Sequence, residues 1–117
     1  MAQQRAVAEI GVLIYPGAQL AAVHGLTDLF TVAQRIAAEH ASVQLPTLRV
    51  SHWRAEEGEA PLRVFDSETG PAGKLVALLI PPSLAGFSDG LVSQPLMDWL
   101  RARHADGTVL GLSLIHI

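Results

Sequence analysis

Two short runs of consecutive apolar residues constrain the fold of this chain most strongly. The first lies within residues 8–15, and the second is the hexapeptide LVALLI at residues 75–80, which two prolines end. Apolar residues that follow one another without alternating polar residues are typical of strands covered on both faces of a sheet. We therefore predict strands at residues 8–15 and 75–80 in the interior of a sheet.

A helix is predicted after the first run, at residues 19–39. Its apolar residues recur at intervals of three and four, which is the spacing of a helix face that packs on a core. The residues predicted to pack are Leu26, Leu29, Phe30, Ala33, Ile36 and Ala37. The residues predicted to face solvent are Thr27, Asp28, Thr31, Gln34 and Arg35.

The remaining segments continue the alternation of strands and helices. Strands are predicted at residues 48–53, 62–65 and 108–111, and a helix from an N-cap at Ser93 to His104. This order favours an α/β fold with a mainly parallel sheet and helices on both faces. We expect a flavodoxin-like three-layer sandwich that is truncated at its C-terminal side.

Length and composition exclude several kinds of protein. A chain of 117 residues can form one domain with a core, and its net charge of −3 offers no basic surface for nucleic acid. The chain has no cysteine, which excludes disulfides, thiolate metal sites and a cysteine nucleophile within it. No apolar stretch approaches the roughly 18 residues of a membrane span, and no secretory signal is visible. We expect a cytoplasmic protein that has no membrane partner and no cofactor.

The last six residues, LSLIHI at 112–117, look foreign to the domain. They match the translation of CTGTCTCTTATACACATC, a transposon end used as a sequencing adapter, and they leave the last predicted strand without a covering helix. We interpret residues 112–117 as an adapter-derived tail and residues 1–111 as the N-terminal part of a larger domain. The alternative is a native apolar strand, since polar and apolar residues alternate acceptably in this segment.

Four segments, in their order and spacing, resemble the PfpI/ThiJ family of the class I glutamine amidotransferase-like superfamily. They are IGVLIYPGAQLAAVHGLTDLF, LVALLIP, PLMDWLRARHADG and TVLG. The resemblance covers residues 7–111 and is greatest to the N-terminal domain of AraC-type transcription regulators. It implies a ligand-sensing domain that forms a homodimer, binds an unknown small molecule and contacts DNA only through a C-terminal domain missing here.

Two positions depart from the catalytic pattern that the resemblance implies. Enzymes of the family carry an acidic residue five positions after the glycine of the first turn; counting from Gly17 gives Ala22. They also use backbone N–H groups after the strand at 75–80 to form an oxyanion hole, where this chain has Pro82, which lacks an N–H. The nucleophile elbow that would follow the last strand is missing. A sensor is therefore favoured; the alternatives are a fragment of a hydrolase or hydratase similar to isocyanide hydratase, and an inactive fragment.

The candidate ligand-binding residues lie where two predicted strands end. Ligands of open α/β sheets bind outside the carboxyl ends of the strands, so we expect a pocket between residues 15–24 and 81–86. Its candidate residues are Tyr15, Gly17, Gln19, His24, Pro82 and Ser83. Structural alternatives remain open: Tyr15 packing under the helix, Gln19 capping it, and His24 as a partly exposed polar residue.

No catalytic residue and no metal ligand is predicted. His24 and His40 lie too far apart on one helix to share a metal, and no pair of ligand residues has the helical spacing of a zinc site. His104 is explained by its place near a helix C-terminus. Ser113 has no Gly-x-Ser-x-Gly context and lies in the suspected tail, so we reject it as a nucleophile.

Overall fold

A computed structural model of the chain describes residues 6–40, 45–68, 74–84 and 93–112. Every predicted helix and strand is present, with each boundary within one residue of its expected position. The elements are β1 (Val7–Ile14), α1 (Leu20–His40), β2 (Thr47–Arg54), β3 (Leu62–Asp66), β4 (Leu75–Ile80), α2 (Gln94–Ala105) and β5 (Val109–Leu112). No helix within these ranges is both long and apolar enough to cross a membrane.

The five strands form one sheet in the order β3-β2-β1-β4-β5. β1 runs parallel to both of its neighbours, β2 and β4, and β4 runs parallel to β5. Only β3, at one edge, pairs antiparallel, with β2. The prediction of an α/β fold with a mainly parallel sheet is therefore confirmed.

The two helices lie against opposite faces of this sheet. Successive residues of a strand point to opposite faces, and on β2 each of two successive residues contacts a different helix. His52 lies within hydrogen-bond distance of Thr27 on α1, whereas the ring of Trp53 lies 5.2 Å from that of Trp99 on α2. We call these faces the α1 face and the α2 face.

One cluster of buried apolar residues lies on the α2 face, whereas Val12, Val23 and Val50 are buried on the α1 face. The buried residues of this cluster are Leu13, Ala55, Leu75, Leu78 and Leu96. Gly11 lies on this face of the central strand, and a Cβ atom there would come within 3.1 Å of the side chains of Leu78 and Trp53. The absence of a side chain at Gly11 therefore lets these two side chains pack closely across β1.

The predicted packing face of α1 is partly wrong. Leu29 and Ile36 are 59% and 52% exposed, and Ala33 is exposed as well. Two residues expected in solvent, Thr27 and Gln34, instead contact the sheet.

Polar groups on the sheet explain this orientation of α1. The side-chain carbonyl of Gln34 accepts a hydrogen bond from the backbone N–H of Leu48 at 2.7 Å, and Thr27 contacts the ring of His52. Val23, which is fully buried, provides apolar contact on the same side of the helix. Buried polar groups must find partners, and α1 supplies them.

The C-terminal predictions are only partly covered by the described residues. Leu112 is the last residue of β5 and pairs with Ile80 of β4. Residues 113–117, with Ser113, lie outside the described ranges, as do residues 85–86 of the expected pocket. The interpretation of residues 112–117 as a foreign tail stays a prediction.

Candidate functional site

A tight turn connects β1 to α1. The backbone N–H of Ala18 donates to the carbonyl of Tyr15 at 3.0 Å, which closes a four-residue turn. Pro16 and Gly17 are its central residues, and Gly17 has φ of 88°. A type II turn favours proline at the first central position and requires a positive φ, hence glycine, at the second. The Pro-Gly pair therefore fixes the direction in which α1 leaves the sheet.

This turn is hydrogen-bonded to the segment that follows β4. The N–H of Gln19 donates to the carbonyl of Pro82 at 2.8 Å, and the N–H of Leu84 donates to the carbonyl of Gly17 at 2.8 Å. Ala18 and Ser83 form an isolated antiparallel bridge between these two bonds. We call residues 15–19 and 81–84 the switch-point site.

The position of this site in the sheet matches the general location of ligands in open α/β folds. From β1 the chain goes to β2 on one side, whereas β4 lies on the other side of β1 and leads to β5. The direction of winding thus reverses between β1 and β4. Ligands of open α/β sheets bind outside the carboxyl ends of strands at such a reversal, and both parts of the switch-point site follow these ends.

Most polar groups in the β1–α1 turn already have partners within the protein. The N–H groups of Ala18 and Gln19 donate to carbonyls, and the hydroxyl of Tyr15 donates to the carbonyl of Pro81. Burial raises the pKa of Tyr15, so this phenol stays a neutral donor at neutral pH. The site thus has a rigid backbone, with the half-buried side chain of Gln19 as its main polar candidate for contact with a ligand.

Among the six candidate residues, the structure brings five to the switch-point site: Tyr15, Gly17, Gln19, Pro82 and Ser83. The sixth, His24, lies further along α1, where its ring meets that of His52 edge-on at 6.3 Å between centroids. No carboxylate, imidazole or thiol occurs within residues 15–22 or 81–84. The described part of this site therefore offers groups for binding, and its one titratable side chain, Tyr15, already donates to Pro81.

His52 is held by side chains of α1 and β3 on the α1 face. Thr27 donates its hydroxyl proton to the carbonyl of Val23 at 2.8 Å, so its oxygen accepts from the Nε2–H of His52 at 2.7 Å. The ring of Phe65 packs 4.5 Å from the His52 ring. Burial, and after it the nearby charge of His24, lowers the pKa of His52. His52 is therefore a neutral structural donor.

A cavity of about 190 Å³ lies away from the switch-point site, at the amino ends of β4 and β5. The residues that line it are Trp53, Lys74, Leu75, Arg103, Asp106 and Thr108. Arg103 and Asp106 form an ion pair at 3.3 Å, and the hydroxyl of Thr108 donates to the carbonyl of Leu75 at 2.8 Å. Several of its polar groups thus serve the fold, and this cavity is not the pocket expected between residues 15–24 and 81–86.

A group of buried charges on the α2 face was missed in the sequence. Glu9 is 1% exposed, and one of its carboxylate oxygens, Oε2, accepts from Ser51 at 2.6 Å and from Arg63 at 2.7 Å. Arg49, 5% exposed, donates from Nε to Asp66 at 2.8 Å. We call these five residues the buried charge network.

The buried charge network joins β3 to the centre of the sheet. Arg63 and Asp66 belong to edge strand β3, whereas Glu9 belongs to central strand β1. The hydrogen bond from Arg49 lowers the pKa of Asp66 and raises that of Arg49. Two carboxylates face two guanidinium groups, so the charges balance, and the network is explained as a structural tie rather than as a site for a charged ligand.

Comparison of the chain with protein-family models, with curated proteins and with solved structures found no match. Within the described residues no group of three or more histidine, cysteine, aspartate or glutamate side chains could hold a metal ion.

Proposed function

We propose that this chain is part of a ligand-sensing domain of an AraC-type transcription regulator, built as a flavodoxin-like three-layer sandwich. The observation that supports this most is the location of the switch-point site at the reversal of the sheet winding. The second support is chemical. Ala22 and Pro82 stand at the positions where enzymes of the family that this chain resembles have an acidic residue and a backbone N–H donor. Loss of one oxyanion-hole donor alone typically costs about a hundredfold or more in rate.

The proposed mechanism is a shift in population rather than a reaction. A small molecule would bind against the Gln19 side chain and the segment after β4, with the type II turn as a fixed support. Binding that favours one arrangement of a dimer over another shifts the equilibrium towards it. DNA contact would come from a helix-turn-helix domain elsewhere in the full-length protein.

Ligand-induced thermal stabilisation tests the proposal. The chain is screened against small organic acids, amides and nucleosides, and any hit is compared between wild type and Gln19→Ala. The hydrogen bonds of Gln19 to Pro82 and Val23 use its backbone, so this substitution leaves the turn intact. A ligand at about 100 times its dissociation constant should stabilise the wild type by about 2.7 kcal/mol, and Gln19→Ala should weaken its binding.

Gln94→Ala is the matched control, because Gln94 is an exposed glutamine on α2 whose side chain donates to Asp98 at 2.7 Å. Ligands that bind wild type, Gln19→Ala and Gln94→Ala equally would place the binding site elsewhere. Hydration of an isocyanide, or hydrolysis of a p-nitrophenyl ester, by a full-length protein that keeps Ala22 and Pro82 would contradict the sensor and support the hydrolase or hydratase.

A further inference from the structure

The cavity at the amino ends of β4 and β5 combines apolar surface with an excess of positive charge. Trp53 and Leu75 supply apolar surface, and Lys74 and Arg103 supply two positive charges. Asp106 is the single acidic residue among the described residues that line the cavity. One positive charge is therefore left over, although the chain as a whole is negatively charged. A recess with a surplus of positive charge attracts an anion.

The guanidinium group of Arg103 is held in place, but the fold uses only part of it. Its Nη2 pairs with Asp106 at 3.3 Å, and its Cζ lies 5.4 Å from the centre of the Trp99 ring. Its Nε is buried and has no hydrogen-bond partner within the part of the chain that the structure describes. Buried donors nearly always have a partner, so this N–H indicates that a ligand supplies the acceptor.

The ammonium group of Lys74 lies beside the turn that connects α2 to β5. A Cβ atom at Gly107 would come within 3.4 Å of Lys74 Nζ, and the φ of 92° at Gly107 also favours glycine there. Lys74 is exposed and forms no ion pair with any residue that the structure describes. Its charge is therefore available to an anion in the cavity.

The indole of Trp53 is held before any ligand arrives. Its Nε1–H donates to the hydroxyl of Ser51 at 2.9 Å, and its ring centre lies 5.2 Å from that of Trp99. The Cζ of Arg63 lies 4.9 Å from the same ring. A side chain that is already fixed loses little conformational freedom on binding, so Trp53 offers a preorganised apolar wall.

We propose that this cavity binds a small monocarboxylate with an aromatic or branched aliphatic body. The carboxylate binds Lys74 and Arg103 through charge-assisted hydrogen bonds, and the apolar body packs on Trp53 and Leu75. A phosphate would leave charged oxygens against this apolar surface, which is unfavourable. An apolar cavity of about 150 Å³ holds benzene, so a cavity of about 190 Å³ has room for benzoate.

This site is separate from the switch-point site, so the inference goes beyond the proposed function and does not depend on it. The cavity lies beside Thr108, at the start of β5, whereas the switch-point site follows the carboxyl ends of β1 and β4. The two sites therefore lie towards opposite ends of the parallel strands.

Titration with benzoate, followed by NMR of the tryptophan indole N–H groups, tests the proposal. The chain has two tryptophans; Trp53 lines the cavity and Trp99 packs against Trp53. Benzoate should shift the Trp53 signal in a saturable way, with a dissociation constant of roughly 1 mM for a ligand of this size. Benzamide has a similar shape without the charge, and inorganic phosphate has charge without the apolar body. Each should bind about tenfold more weakly than benzoate, or not at all.

Two variants test the cationic side of the cavity. Lys74→Gln should weaken benzoate binding about tenfold, because it removes one charge-assisted hydrogen bond, and Lys74→Arg should retain most of the affinity. Arg103→Lys keeps the charge but removes Nε, so it should also weaken binding. Arg101→Gln is the matched control, because Arg101 is an exposed arginine of α2 that does not line the cavity. Circular dichroism checks that each variant is folded.

Gln19→Ala distinguishes this site from the switch-point site, and it should leave the affinity for benzoate unchanged. Indole signals of the wild type that do not move at about ten times the expected dissociation constant would overturn the proposal. Equal affinity for benzoate and benzamide, or for benzoate and phosphate, would overturn it as well. So would a Lys74→Gln variant that binds benzoate as tightly as the wild type does.

Discussion

The two faces of the sheet are covered in different ways. On the α2 face, leucines such as Leu13 and Leu78 pack in a closed apolar cluster, next to a network of paired buried charges. On the α1 face, the helix turns Gln34 towards the sheet together with the buried Val23 and leaves Leu29 and Ile36 in solvent. The comparison shows that a helix can be oriented by the polar groups it must satisfy as much as by its apolar residues.

The largest contrast between the faces should come from a pair of leucines. Leu78 is fully buried on the α2 face, so Leu78→Ala should lower the free energy of unfolding by about 2–5 kcal/mol, through lost contacts and the cavity left behind. Leu29 is 59% exposed on α1, so Leu29→Ala should change it by about 0.5 kcal/mol or less. Urea denaturation of both variants measures the difference.

Equal losses from the two leucine variants would mean that Leu29 is buried in the folded chain, and the description of α1 would then be wrong.

The next largest effect should come from the buried charge network. Glu9→Gln keeps the shape of the side chain but removes the charge that faces Arg63 and Arg49. Removing one charge of a buried set leaves the others uncompensated, which typically costs about 3 kcal/mol or more. The matched control is Glu57→Gln in an exposed turn. If both variants unfold at the same urea concentration, the network contributes no stability.

A smaller effect distinguishes the two sides of α1. Thr27→Val removes the oxygen that accepts from His52 and leaves a buried donor without a partner, so we expect a loss of about 1–2 kcal/mol. Thr31→Val is matched, because Thr31 also donates to the carbonyl four residues earlier but is exposed. Its cost should be within about 0.5 kcal/mol. Equal stability of the two variants would indicate that Thr27 faces solvent, as the spacing of apolar residues predicted.

The sequence predicted the elements well because their signals are local. The prolines after β4, the Pro-Gly turn after β1 and the Ser93 cap of α2 each act within a few residues. The meeting of the β1–α1 turn with Pro82 and Ser83 was also expected, because both follow the carboxyl ends of parallel strands. That this meeting place binds a ligand stays a prediction.

Long-range partners explain what the sequence did not reveal. Glu9 stands next to an apolar run, and its partners Ser51 and Arg63 are 42 and 54 residues away. The side of α1 that packs on the sheet includes Thr27, whose partner His52 lies on β2, 25 residues further along the chain. Apolar residues on α1 recur on more than one side, so spacing alone left the orientation of the helix undetermined.

The smallest expected effect is a pH dependence that belongs to the α1 face. Burial lowers the pKa of His52 below its ordinary value of 6.5, so the unfolded chain binds more protons than the folded chain as the pH falls through 6.5. The contribution of His52 to the free energy of unfolding should therefore be complete above pH 6.5 and decrease below it. Asp66, whose pKa is also lowered, acts in a separate range, because its ordinary value is 3.8.

Urea denaturation between pH 5 and 8 measures this slope, and His52→Asn should flatten it while lowering stability at pH 8. The matched control is His104→Asn, at an exposed position near the end of α2, which should keep the wild-type slope. A slope that persists in His52→Asn would show that His52 does not carry the pH dependence. A slope of opposite sign would mean that folding stabilises the charged form of His52, which would contradict the lowered pKa of this buried ring.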